Sequence, residues 1–340
     1  MGHPAIDNGT PFAFEPLFIT DEEFRPVVVA VVKATYQFDL DGSACLAENQ
    51  VPVNLAGEPW SDAPVSSYRY EPEMALCKLA TDIALIAHAE PPGRGATEVD
   101  VGIKVGPVQK TATVFGDRFW VRTAQGVRRS RPAPLERVPL TWENAFGGRD
   151  EAHSTPERSR LDPRNPVGTG YGTPLAKVGD RLRLPNIENP NQLIHEYGSV
   201  VEPCGFGFTS PNWEPRASLA GTYDERWDQT RKPMLPVDFD RRFFNAAAPG
   251  LVAPGYLRGD EDLVVWNTTP VPRLALRLPA IPPPRCRVVL RGRPDVQLAT
   301  RLDTVIVNTD ERQLMLLWRA STSVGGGPHD VRTIAVGPGH

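Results

Sequence analysis

The sequence is poor in the features that usually announce a function. Its four cysteines, Cys45, Cys77, Cys204 and Cys286, are scattered and form no CxxC pair. The usual zinc-ligand spacing is therefore absent. Disulfides stay open, but a reduced, cytoplasmic chain is the simpler reading. The start, Met1-Gly2-His3-Pro4, lacks the basic and apolar regions of a secretory signal. No apolar run approaches the roughly 20 residues of a membrane helix. His3, His88, His153, His195, His329 and His340 form no HxxxH or HxH, so no metal or cofactor is expected. There is no excess of positive charge: 37 Lys and Arg stand against 41 Asp and Glu, a net charge of -4. That argues against a nucleic-acid partner, which calls for a concentrated basic patch. Two short arginine clusters exist (Arg128, Arg129, Arg131; Arg285, Arg287, Arg291, Arg293), and each reads as a solvated strand or loop face. No internal repeat recurs at a fixed period.

What is abundant is proline, 36 residues among 340, about twice the average share. The prolines are spread among tryptophans and charges, which points to fixed turns and long, ordered, irregular connections. Length suggests about two domains, or one large β domain with long insertions. Three regions follow: residues 1–131, β-rich; 132–260, irregular and rich in aromatics and proline; 261–340, β again with a loose tail.

The β signals are local. Val27–Phe38 is a β-branched run whose continuous apolar start predicts a strand buried on both faces. Asp41-Gly42 then predicts a hairpin to a short strand at Ala44–Ala47. Cys77–Ala89 reads as an alternating strand, with Leu79, Thr81, Ile83 and Leu85 on one face and Lys78, Asp82 and His88 on the other. Val99–Val105 alternates cleanly. In TATVFGDRFWVRT, Gly116-Asp117 reads as a tight hairpin with glycine supplying a positive φ. The C-terminal candidates are Asp262–Trp266, Arg273–Leu278, Arg287–Leu290, Asp303–Val307 and Gln313–Arg319, the last two joined by a hairpin. The expected fold is mainly β: an antiparallel sandwich or barrel-like set of sheets with one or two short helices.

The stretch Cys204–Asn245 organises the middle. It carries Phe206, Phe208, Trp213, Tyr223, Trp227, Phe239, Phe243 and Phe244 among prolines, glycines and charges. Thr222 predicts an N-cap for a helix over Tyr223–Arg231, ended by Pro233. Tyr223, Trp227 and Arg231 then share one face. That face either docks on the protein's own core, favoured because tryptophan is mostly buried, or presents a ring and guanidinium surface to a partner.

Candidate catalytic chemistry is thin. Asp238 and Asp240 could form an acid–base pair, but pairing with Arg231, Arg241 or Arg242 is the plainer reading. Cys204 follows His195 by nine residues; in its glycine-rich apolar setting it reads as a small buried hydrophobe. Gly168, Gly170 and Gly172 lack the Lys-Ser/Thr of a phosphate loop.

The ordered segments VVVAVVKATYQFD, SSYRYEPEMALCKLATDIALIAHA, VPLTWENAFGGRD, RNPVGTGY, LPNIENP, the long central stretch and LDTVIVNTDERQLMLLWR resemble the bacterial domain-of-unknown-function family 2169, from about residue 10 to residue 320. The resemblance implies an adaptor or chaperone associated with type VI secretion. Such a protein would help load a toxic effector, often through a PAAR-like spike-tip protein. It carries over no catalytic residues. The expectation is a non-enzymatic adaptor, with Trp213, Tyr223, Trp227 and Arg231 as contact residues and Trp142 and Phe146 next. The alternatives are a hydrolase using Asp238, Asp240 and Glu143, and a carbohydrate-binding module with tryptophans as a stacking platform.

Overall fold

The computed structural model describes residues 4–62, 66–150, 160–172 and 181–339. The fold is mainly β. Its central sheet runs in the order Ala13–Thr20, Pro26–Phe38, Gln313–Ser323, Arg301–Asn308, Asp82–Ile86, with Ala44–Leu46 on the far end of Pro26–Phe38. All pairs are antiparallel except the last, in which Asp82–Ile86 runs parallel to Arg301–Asn308. Strands from before residue 131 and after residue 261 thus share one sheet, the two late strands lying between early ones.

The β-branched run gives the central strand, and every side chain from Val27 to Tyr36 is buried. Its two faces do different work. Val27, Val29 and Val31 pack with Tyr70, Leu76, Phe208 and Ala246 from the irregular connections. On the other face, Val28 and Ala30 meet Cys286, Val288 and Ile334, while Val32, Ala34, Tyr36 and Phe38 join the main core. Two further sheets supply those partners. One is antiparallel, in the order Ile187–Glu188, Val108–Phe115, Glu98–Val105, Asp262–Trp266, Arg273–Arg277. The other runs Ala5–Asn8, Val331–Gly337, Arg285–Leu290, Val296–Ala299, with the first pair parallel. The sheets pack face on face without closing a barrel.

Four local expectations are corrected. Gly116-Asp117 is a corner between sheets, not a hairpin. Val108–Phe115 turns back on Glu98–Val105 through Gly106, at φ +51. Phe119–Thr123 instead joins Gly126–Arg129 and Arg181–Arg183 in a separate three-stranded sheet. Gly116 is needed for closeness, since a Cβ there would sit 2.1 Å from the Ala133 carbonyl oxygen. Second, the alternation over Cys77–Ala89 fails. The strand begins only at Asp82, Leu79 is 46% exposed and Lys78 is buried. Carboxylates explain the inversion: Lys78 Nζ donates to Asp82 at 2.7 Å and to Glu71 at 3.1 Å. Third, the chain after Ser321 is not loose; it crosses Gly325–Gly327 and returns as Val331–Gly337, the second strand of its sheet. Fourth, the helix spans Glu225–Thr230, and its N-cap is Asp224 rather than Thr222.

Candidate functional site

The Cys204–Asn245 stretch divides into a buried part and an outward part. Phe206 and Phe208 are buried on the core. Gly205 lies flat on the Trp142 indole, where a Cβ would come within 2.5 Å of the ring. The indole Nε1–H donates to the Phe208 carbonyl at 2.8 Å. Trp213 meets Trp142 edge-on, with centroids 5.9 Å apart. Trp142, Phe146 and Trp213 are therefore core residues, with 2%, 2% and 3% of their surface exposed. They pack into the core instead of forming an outward ring surface, and Trp142 shows only an edge to a cleft described below. Their composition marked them as binding rings, but glycines beside them let the backbone cover them.

The outward part runs from about residue 219 to 244. Asp224 accepts from the Trp227 amide at 2.8 Å and starts the short helix. Tyr223 packs edge-on against Trp227 at 4.7 Å. Trp227 Nε1 donates to the Met234 carbonyl at 2.9 Å, and Arg231 Nε to the Leu235 carbonyl at 2.8 Å. Phe239, Phe243 and Phe244 form a trio with centroids 5.5 to 5.9 Å apart. The excursion is fastened to the turn at Asp21–Arg25. Arg231 reaches Glu23 at 3.1 Å, Arg241 reaches Glu22 at 2.6 Å, and the Leu235 amide donates to the Glu22 carbonyl at 2.9 Å.

Its exposed surface is mainly charged and polar, with apolar side chains set into it. Tyr223 is 53% exposed, Val237 87%, and Phe24 of the anchoring turn 54%. Trp227 is half-buried. A concavity of about 600 Å³ lies here, lined by Asp224, Arg226, Trp227, Arg231, Pro236 and Val237. Sequence reasoning missed Val237 and Phe24. A lone valine between Pro236 and Asp238, and a phenylalanine in an acidic turn, carry no periodicity that betrays exposure.

The candidate catalytic groups are occupied structurally. Asp238 accepts from the Thr222 amide at 3.0 Å and from its hydroxyl at 2.7 Å, which holds the carboxyl below its ordinary range. Asp240 caps the next turn through the Arg242 amide at 2.9 Å and pairs with the same guanidinium, with the same effect on its carboxyl. Both favour the ionised form, the wrong direction for a general acid. Glu143 accepts from the Ser67 amide and hydroxyl, each at 2.8 Å. Cys204 is buried, and burial pushes its thiol up; His195 is exposed. Gly168 packs against Asn165 and Ala145, and Thr169-Gly170 pairs with Phe146-Gly147, so the glycine-rich loop is an architectural turn. Among the described residues no group of three or more His, Cys, Asp and Glu could hold a metal. His3, His153 and His340 lie outside the described residues.

A second cleft of about 430 Å³ is lined by Lys110, Trp142, Pro203, Cys204, Pro215 and Pro249. Lys110 Nζ donates to the Pro249 carbonyl at 2.7 Å, and burial holds its ammonium below the ordinary lysine range.

A bacterial family described as an uncharacterized protein conserved in bacteria, domain of unknown function 2169, matches residues 23–319. The chain belongs to this family. No match emerged among curated proteins or among solved structures. Membership fits the resemblance carried by the central stretch, and it adds no substrate, ligand or catalytic residue. No helix among the described residues is long and apolar enough to cross a membrane.

Proposed function

We propose that this family 2169 protein is a non-enzymatic cytoplasmic adaptor or chaperone. It binds a type VI secretion effector, or the PAAR-like spike-tip protein that carries it, and assists loading. The observation that carries the reading is the outward excursion. Tyr223, Val237 and Phe24 expose apolar surface on a segment pinned by two ion pairs and a backbone hydrogen bond. Aromatic and arginine residues on a pre-ordered surface are the composition of binding hot spots, and pre-ordering lowers the entropic cost of association. The hydrolase reading loses support because Asp238, Asp240 and Glu143 each hold a backbone segment in place.

The test is co-expression with spike-tip and effector proteins encoded beside the gene, followed by affinity capture and mass spectrometry. Tyr223→Ala and Val237→Asp are the informative variants, because neither side chain holds the fold by a hydrogen bond. Capture of a spike-tip or effector protein by the wild type, weakened about tenfold or more by either variant at unchanged melting temperature, supports the adaptor. Capture that both variants retain would remove this surface from the reading.

A further inference from the structure

The three-stranded sheet carries a feature that the adaptor reading does not use. Its register places Val121 between Arg128 on one neighbouring strand and Arg181 on the other. Directly opposite residues share a face, and so do residues two apart along a strand. Phe119 and Arg183, paired with each other, therefore lie on the same face as Val121. Trp120, Arg129 and Leu182 point the other way, and Trp120 and Leu182 pack there on Phe146, Leu184 and Ile194. One face of the sheet is thus covered. On the other, Arg128, Arg181 and Arg183 are exposed, and Phe119 and Val121 are half-buried between them.

Several exposed arginines of this chain meet carboxylates: Arg25 with Asp21, Arg137 with Glu90 and Asp310, Arg241 with Glu22, Arg287 with Asp295. On this face, among the described residues, only Arg183 does, pairing with Asp117 at 3.0 Å. Arg128 donates to the neutral Gln125 side chain at 2.7 Å, and Arg181 stacks on the Phe119 ring, its guanidinium carbon 3.7 Å from the centroid. Stacking leaves the N–H edges of a guanidinium free for a carboxylate while fixing its plane. Two oriented cations thus flank an apolar strip, on a chain whose net charge is -4.

We infer that this open sheet face is a docking surface for an acidic protein segment, whose carboxylates meet Arg128 and Arg181 and whose apolar side chains cover Val121 and Phe119. Charge complementarity selects the occupant: a carboxylate-bearing segment supplies the partners that these two arginines lack, and the apolar strip between them gives side chains a place to settle. The inference does not rest on the adaptor reading, since it uses other residues on another sheet.

The test uses the full chain and two fluorescently labelled synthetic peptides of equal length. One alternates glutamate with valine, and the other alternates lysine with valine. Anisotropy should show the glutamate peptide binding, weakening steeply as salt rises from about 0.01 M to about 0.15 M. The double variant Arg128→Gln/Arg181→Gln should lose about tenfold or more in affinity, the size expected for two charge-assisted contacts. The reversed variant Arg128→Glu/Arg181→Glu should bind the lysine peptide instead. Far-ultraviolet circular dichroism checks that the variants fold. A control, Arg273→Gln/Arg285→Gln, removes two exposed arginines on other sheets that lack carboxylate partners, and should leave binding unchanged. Equal loss in the control means general attraction to positive charge and overturns the inference. So does failure of the glutamate peptide to bind, or equal binding by the lysine peptide.

Discussion

At the scale of single residues, burial decides chemistry here more than residue type does. Two of the four cysteines illustrate this: Cys45 is exposed, whereas Cys286 is buried, and burial pushes its thiol up to about 11. Thiolate is the reactive form, so brief alkylation of the native protein should label Cys45 and leave Cys204 and Cys286 untouched, as read by peptide mass spectrometry. The phenols behave alike. Burial raises Tyr36 from the ordinary value of 10.0 to about 12, and for Tyr70 burial outweighs an opposing hydrogen bond from Asn308 to leave it at about 12 as well. Burial alone would lower Lys78, but Asp82 and Glu71 outweigh it and hold the ammonium above its ordinary range. All three groups keep their protons more tightly when folded. The native state then binds more protons than the unfolded chain, and stability falls as pH rises. Urea melts should show this contribution in full below about pH 9 and its loss between pH 9 and about 12, the window set by the Cys286 thiol and the two tyrosines. A flat profile across that window would contradict their burial.

Elements were legible in proportion to how local their cause is. The β-branched run, the Asp41-Gly42 turn and the C-terminal hairpin stand where their sequences place them, because propensity, turn chemistry and burial agree there. Three readings failed because their cause lies in contacts that local alternation and turn signals do not contain. Lys78 is inside because Glu71 and Asp82 receive it. Gly116 is a corner because Ala133 passes over it. Val331–Gly337 is ordered because Ala5–Asn8 and Arg285–Leu290 flank it. The candidate site was half legible for the same reason. Tyr223, Trp227 and Arg231 do gather on the outward excursion, before, within and at the end of its helix, whereas Trp142 and Trp213 are held by each other across some seventy residues of sequence, a contact no spacing rule contains. Gly102 is the sharpest element-scale test. It sits mid-strand, and a Cβ there would lie 2.2 Å from the Trp266 ring and 2.4 Å from the Lys110 carbonyl oxygen. Gly102→Ala should cost about 1–3 kcal/mol of stability through overpacking, measurable by denaturant unfolding, although alanine ordinarily improves on glycine in a strand. At the helix, Asp224→Ala should cost about 1 kcal/mol and lower partner capture by loosening Tyr223 and Trp227.

At the scale of the whole molecule, the central sheet sets two strands from the end of the chain between strands from its beginning. Pro26–Phe38 lies between Ala13–Thr20 and Gln313–Ser323, so its hydrogen bonds and both buried faces depend on residues nearly three hundred positions downstream. A chain cut after residue 300 would retain the most apolar strand with one edge open. Unpaired apolar edges invite association. That truncation should accumulate as aggregate rather than as a folded fragment, as seen by size-exclusion chromatography beside the full-length protein. The same arrangement sets a timetable during synthesis. Residues emerge from the ribosome at about 5–20 per second, so the wait between the first central strand and its partner near residue 313 lasts on the order of tens of seconds. Throughout that interval the nascent chain carries Val27–Val32 without its final neighbours. A protein proposed to escort others is thus, for the length of its own translation, the one in need of an escort.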